Sequence, residues 1–226
     1  MLAKAQEKDL LEVNLINWRD YTQDKHKQVD DYAYGGGAGM VLKPEPIFRA
    51  IEDLGLEDDT PVVLLTPQGQ QFEQDTAKEF ANHQDRIVLL CGHYEGFDHR
   101  IREELVTHEI SIGDYVLTGG ELPAMVLIDA VTRMIPGVLG SQESAQEDSF
   151  YNDLLDFPQY TRPQEYQGLE VPKVLLSGDH AKIDKWRKKK SLEQTLNKRP
   201  DLLEDAELSA EEKELLTEIK AEKETD

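Results

Sequence analysis

Apolar residues in this chain fall into short blocks separated by polar turns. Val62–Leu65 and Ile87–Cys91 are unbroken apolar runs, the pattern of strands buried on both faces. Leu11–Ile16 predicts a further strand. Ile47, Ala50, Ile51 and Leu54 share one helical face, with Pro46 suited to a first turn and Gly55 to the end, so Pro46–Leu54 predicts a helix. Phe72–Ala81 and the charged stretch Asp98–Leu105 also read as helices, as does the mostly apolar Leu122–Ile135, stopped by Pro136-Gly137. Short strands alternating with helices predict an α/β domain with a parallel sheet covered on both faces.

The expected strands empty into glycine turns. Val62–Thr66 runs into Pro67-Gln-Gly69, and Ile87–Cys91 into Gly92-His-Tyr-Glu-Gly96. In Ser111–Pro123 a short apolar run, Tyr115–Leu117, predicts a third strand between Gly113 and Gly119–Gly120. Glycine lets a backbone approach a ligand closely, and in an open α/β sheet such loops line the edge where ligands bind. Any one of them also reads as an ordinary strand-to-helix connection. Three together, with Tyr94, Glu95 and Asp114 inside, point to a site. Tyr34-Gly-Gly-Gly-Ala-Gly-Met40 is neither a P-loop nor a dinucleotide fingerprint. It reads either as a mobile surface loop or as a loop over a nucleotide-sized ligand.

Gly140–Asp153 has no apolar period and reads as a linker or mobile loop. The expected organisation is therefore an α/β domain over 1–139, a linker over 140–154 and a small helical domain over 155–226. In the last part, His180 through Thr195 predicts a basic helix. Ser209 and Glu212 form a capping box before a final helix with Leu215, Leu216 and Ile219 on its apolar face.

Charge adds a complication. The formal net charge of −21 weighs against a nucleic-acid partner. Yet residues 201–226 hold eleven Asp or Glu and three Lys, and just before them lies Lys185-Trp-Arg-Lys-Lys-Lys190. Local potential steers a ligand over a Debye length of about 8 Å, so the net figure decides little. No apolar run nears the roughly 20 residues that span a bilayer, and Met1–Glu7 lacks the apolar region of a signal peptide. The single cysteine, Cys91, excludes an internal disulfide framework and fits a reducing compartment. No Cys/His cluster has structural zinc spacing.

Backbone loops with Tyr94, Tyr115 and Leu117 suit an adenine and ribose. The three loops contain no lysine, which serves a triphosphate poorly. That favours an adenosine without phosphates, such as S-adenosylmethionine, with Glu95 and Asp114 near its sulfonium. Each carboxylate also reads as solvated or helix-capping. Asp148, in the linker, is a candidate general base on a mobile segment or a solvated aspartate. Arg133, late in an apolar helix, suits a structural ion pair or support for a developing oxyanion. Lys185–Lys190 with Trp186 suits phosphate contacts and one stacked base, or a solvated helix face.

Val29-Asp-Asp31, the glycine run Tyr34–Met40, Cys91–Gly96, Ser111–Ala124, Arg133–Gly140, Glu147–Phe150, Tyr160-Thr-Arg-Pro163 and Leu175–His180 together resemble the bacterial tRNA (guanine-N1)-methyltransferases of the SPOUT class. The resemblance covers nearly the whole chain. It implies a parallel sheet in a trefoil-knotted domain, a small C-terminal helical domain, and methylation of guanine 37 beside the anticodon. It implies S-adenosylmethionine held by Pro67, Gly92, Tyr94, Gly96, Ile112, Gly113, Asp114, Tyr115, Val116, Leu117, Gly119 and Gly120. Asp148 would take the proton from guanine N1, Arg133 would support charge on O6, and Glu95, with Asp148 as a second metal contact, would meet a magnesium requirement. Asp30, Tyr34, Ser144, Lys185, Arg187 and Lys188 would touch the tRNA. The protein would be a cytoplasmic homodimer with its sites at the subunit interface.

Two departures stand out. The family begins with an apolar strand and a Leu-Phe-Pro turn before the segment matching Met1-Leu-Ala-Lys-Ala, so a sheet edge is expected to lie unpaired here. His93 stands where an arginine is familiar. The rival readings are an RNA-binding protein without catalysis, owing to that strand, and a methyltransferase of another substrate, owing to the acidic charge.

Overall fold

The computed structural model describes residues 1–83, 85–140 and 148–224. They fall in two compact units, Met1–Gly140 and Ser141–Asp226.

The first unit is built on a three-stranded parallel sheet. Its central strand is β3 (Val62–Gln71), flanked by β4 (Val88–Leu90) and β5 (His108–Ser111). The apolar run explains the layering. Alternate side chains leave opposite faces of a strand. Val63 and Leu65 pack with Ala77, Phe80, Leu127 and Val131 from helices α3 (Gln74–His83) and α5 (Glu121–Met134). Val62 and Leu64 pack with Ile47 and Ile101 from α2 (Pro44–Asp53) and α4 (His99–Glu104) on the other face. A run apolar at every position is thus a strand covered twice. A short helix α1 (Leu2–Glu7) and an antiparallel pair, β1 (Asp30–Asp31) with β2 (Val41–Leu42), complete the unit.

Two expected strands are corrected. Leu11–Ile16 is irregular, with Leu15 94% exposed. A strand needs a ladder partner for its amides and carbonyls, and no described segment pairs with this one. Tyr115–Leu117 is an exposed loop. The third strand is His108–Ser111, which pairs with β3 through Val63↔His108, Leu64↔Glu109 and Leu65↔Ile110. Its polar start hid it from an apolar-run criterion.

The second unit holds a small antiparallel pair, β6 (Glu165–Tyr166) with β7 (Leu169–Glu170), and helices α6 (His180–Lys198), α7 (Leu202–Asp205) and α8 (Ala210–Glu224). The capping box before α8 is formed. The Ser209 backbone N–H donates to Glu212 Oε2 at 2.8 Å, and the Glu212 N–H donates to Ser209 Oγ at 3.3 Å. Leu192, Leu215 and Ile219 make the core between α6 and α8. Leu192 is fully buried, so Leu192→Ala should cost about 2–5 kcal/mol. Urea denaturation monitored at the helices checks this; an unchanged midpoint would show that the trio does not hold the unit together.

Candidate active site

Three loops meet at the C-terminal ends of the parallel strands. The first is an excursion within β3. Leu65 and Gln70 both lie opposite Ile110, so Thr66–Gly69 bulges out of the ladder. A Cβ on Gly69 would come within 2.4 Å of the Glu109 and Ile110 backbone, so no side chain fits there. The second loop follows β4 and carries Gly92–Gly96. The third, Ile112–Gly120, links β5 to α5.

The second and third loops are tied directly. The Gly120 N–H donates to the Gly92 carbonyl at 2.9 Å, and His93 and Gly119 form a bridge. His93 Nε2 and Glu121 Oε1 lie 2.6 Å apart beside that bridge. The third loop is braced inside by the Ser111 hydroxyl, donating to the Gly113 carbonyl at 3.2 Å, and by the Tyr115 N–H, donating to the same carbonyl at 2.9 Å.

Together the loops enclose a hollow of about 300 Å³. Of the residues expected to hold the cofactor, Pro67, Gly92, Tyr94, Gly96, Ile112, Gly113, Tyr115, Val116, Leu117, Gly119 and Gly120 line it, as does Glu95. Asp114 does not; it is exposed between Gly113 and Tyr115. The lining also contains Gln68, Thr118 and Pro123, which lie within the expected glycine stretches, and Phe97 and Arg102, which lie outside them and which motif reading missed. Arg102 sits in a helix rich in charge, where nothing in the sequence separates it from a solvated arginine.

The glycine run meets the second loop at its far end. Gly35, Gly36 and Gly37 would have open space around a Cβ, whereas a Cβ on Gly39 would strike the Glu95 side chain, 2.4 Å from Oε1. Gly39 also has φ of 86°, which favours glycine. The Glu95 N–H donates to the Met40 carbonyl at 3.0 Å, and the Leu42 N–H donates to the Gly96 carbonyl at 2.9 Å. The far end of this run is therefore packed on the second loop and shapes the surroundings of Glu95.

The remaining candidates belong partly to the first unit and partly to the second. Asp30 is half-buried on β1, and Tyr34 is fully exposed. Arg133 is half-buried in the last turn of α5. Asp148 belongs to the second unit and is exposed, its carbonyl accepting from the Tyr151 N–H at 3.3 Å. Ser144 lies outside the described residues. On α6, Lys185 is exposed, while Arg187 lies over the Phe157 ring at 4.8 Å. Lys188 is paired with Glu211 at 2.6 Å, and Lys189 with Glu222 at 2.7 Å. Trp186 stands beside Tyr160, ring centroids 6.3 Å apart. Among the described residues no group of three or more His, Cys, Asp or Glu side chains is placed to hold a metal ion.

Cys91 follows β4 and precedes Gly92, which lines the hollow. Burial, with the Glu121 carboxylate adding, pushes its thiol up to about 11. Only the thiolate is nucleophilic. At about pH 8 iodoacetamide should therefore label Cys91 far more slowly in the folded protein than after unfolding, with the folded rate climbing toward the raised value. Equal rates in the two states would contradict a buried, protonated thiol.

Comparison with known proteins gives a concordant picture. The family model described as tRNA (Guanine-1)-methyltransferase TrmD matches residues 1–205. The tRNA (guanine-N(1)-)-methyltransferase of Staphylococcus aureus (strain JH9) is 58% identical over 220 residues, 97% of this chain and 89% of that protein. The protein of the same name from Staphylococcus carnosus (strain TM300) is 57% identical over the same coverage. A chain whose glycine loops converge on one hollow, and whose sequence matches across these spans, belongs to the tRNA (guanine-1)-methyltransferase family.

Proposed function

We propose that this protein transfers a methyl group from S-adenosylmethionine to N1 of guanine 37 in tRNA, within the cytoplasm. The observation that carries the cofactor assignment is the single hollow shared by all three glycine loops. Its volume, about 300 Å³, falls at the lower end of the range for small-molecule sites. Backbone amides and carbonyls suit the adenine edge, Leu117, Ile112 and Tyr115 suit its faces, and the lining holds no lysine to receive phosphates, while its Arg102 is already engaged by Glu109. When bound, S-adenosylmethionine supplies an electrophilic methyl group on a sulfonium.

Neutral guanine N1 carries a proton and offers no free lone pair to that methyl group. Asp148 is the proposed general base, taking this proton as the bond forms. Charge then grows on O6, where the Arg133 guanidinium is proposed to stabilise it. Glu95, whose N–H donates to the Met40 carbonyl and whose side chain packs against Gly39, is the acidic group that lines the hollow. Among the described residues no three His, Cys, Asp or Glu side chains are grouped to hold a metal ion; Glu95 and Asp148 are the proposed contacts for magnesium, which needs only one or two carboxylates beside its waters.

Two copies of the chain are proposed to form the working unit. Leu122, Met125 and Val126 are exposed large apolar residues spaced to share one face of α5, next to exposed Tyr115 and Val116. An apolar face of this kind suits a protein interface. Sedimentation should give the mass of two chains, and a single-chain mass at micromolar protein would count against it.

Calorimetry with S-adenosylmethionine tests the cofactor assignment. Asp148→Ala should lower kcat by about 10²–10⁴-fold, the usual yield of general-base catalysis, and leave cofactor affinity unchanged. Undiminished turnover would remove Asp148 from that role. Transcripts with guanine or adenine at position 37 test the substrate: equal methylation of the two would defeat the proposal.

A further inference from the structure

We infer that Arg102 is a positioning residue for the cofactor, fastening the first loop of the hollow to the sheet and to α4 through Gln68 and Glu109. This rests on the hollow being the S-adenosylmethionine site proposed above.

The first loop needs such a fastening. It leaves β3 after Leu65 and returns at Gln70, both opposite the same residue, so the ladder holds its ends and not its tip. Within the loop, the Gln68 N–H donates to Thr66 Oγ1 at 3.3 Å, a long hydrogen bond. Gly69 has no side chain with which to anchor the return.

Arg102 reaches the tip from α4. Its Nε donates to Glu109 Oε1 at 2.8 Å, its Nη2 donates to Glu109 Oε2, and its Nη1 donates to Gln68 Oε1. Glu109 lies on β5, opposite Leu64 of the central strand. The guanidinium is planar, so two bonds to one carboxylate fix its plane and direction. The third N–H then points one way, and Gln68 meets it. One rigid group thus sets the first loop against the strand that leads into the third.

Charge is also managed. Arg102 lines a hollow proposed to receive a cationic sulfonium, and a bare guanidinium there would repel it. Glu109 offsets this with a full opposite charge in direct contact. The hydrogen bond from Arg102 holds the Glu109 carboxyl below its ordinary range, and the same bond raises Arg102. The pair therefore stays ionised through neutral pH.

Arg102→Lys keeps the charge and removes the fork, while Gln68→Ala removes only the loop contact. Calorimetry and steady-state kinetics on both, and on the double variant, test the inference. Each should raise the Kd and KM for S-adenosylmethionine about tenfold, the effect of losing one charge-assisted hydrogen bond. The double variant should be no worse than the weaker single one, since both break the same contact. The KM for tRNA and kcat at saturating cofactor should stay within about twofold. A fall in kcat or thermal stability with cofactor Kd unchanged would make Arg102 merely structural and overturn the inference. If the unaltered protein takes up no S-adenosylmethionine, the cofactor assignment itself fails; if it does and the variants bind equally, only the positioning role fails.

Discussion

The hydrogen bond from the Gly120 N–H to the Gly92 carbonyl, 2.9 Å long, joins two loops that start on opposite sides of the central strand. β4 and β5 stand two strand spacings apart, about 10 Å, so their loops meet only by reaching across the end of β3. The meeting is backbone against backbone. A Cβ on Gly120 would lie 2.6 Å from the Cys91 Cα, and any side chain there would part the loops. This contact turns three strand ends into the walls of one hollow. It also sets where α5 begins, at Glu121, and so how Leu127 and Val131 return to the sheet. Site and core share one constraint.

The second unit is governed by a different balance. Hydrophobic contact among Leu192, Leu215 and Ile219 holds α6 to α8. Around it, the basic side chains of α6 meet the acidic ones of α8, as in Lys188 with Glu211 and Lys189 with Glu222. Exposed pairs of this kind contribute about 0–1 kcal/mol each, so they follow from the packing of the two helices more than they cause it. These pairs also occupy two of the lysines in the basic run Lys185–Lys190.

Much of the first unit was readable from residue pattern. An apolar side chain at every position of Val62–Leu65 implied burial on both faces, and the two clusters on either side of β3 are that burial. The glycine turns at Pro67–Gly69, Gly92–Gly96 and Gly113–Gly120 were visible because close backbone approach leaves a compositional mark. Leu11–Ile16 misled because a β pattern does not supply a partner strand. His108–Ser111 was overlooked because its pairing with β3, not its composition, makes it a strand. Gln68 lay within a visible turn, but its contact with Arg102, and that of Arg102 with Glu109, left no mark: they depend on three elements arriving at one point.

By itself the amino-acid sequence determined the local choices: which segments are helical, which are buried twice, where only glycine is tolerated, and which family the motifs belong to. These rest on short-range sterics and on apolar periodicity, both carried by neighbours in the chain. Only tertiary structure decided that the three turns open into a single hollow, that Gly39 abuts Glu95, and that Arg102 spans helix, strand and loop. Those relations join residues distant in sequence, and their geometry exists only once the sheet has brought the strand ends together.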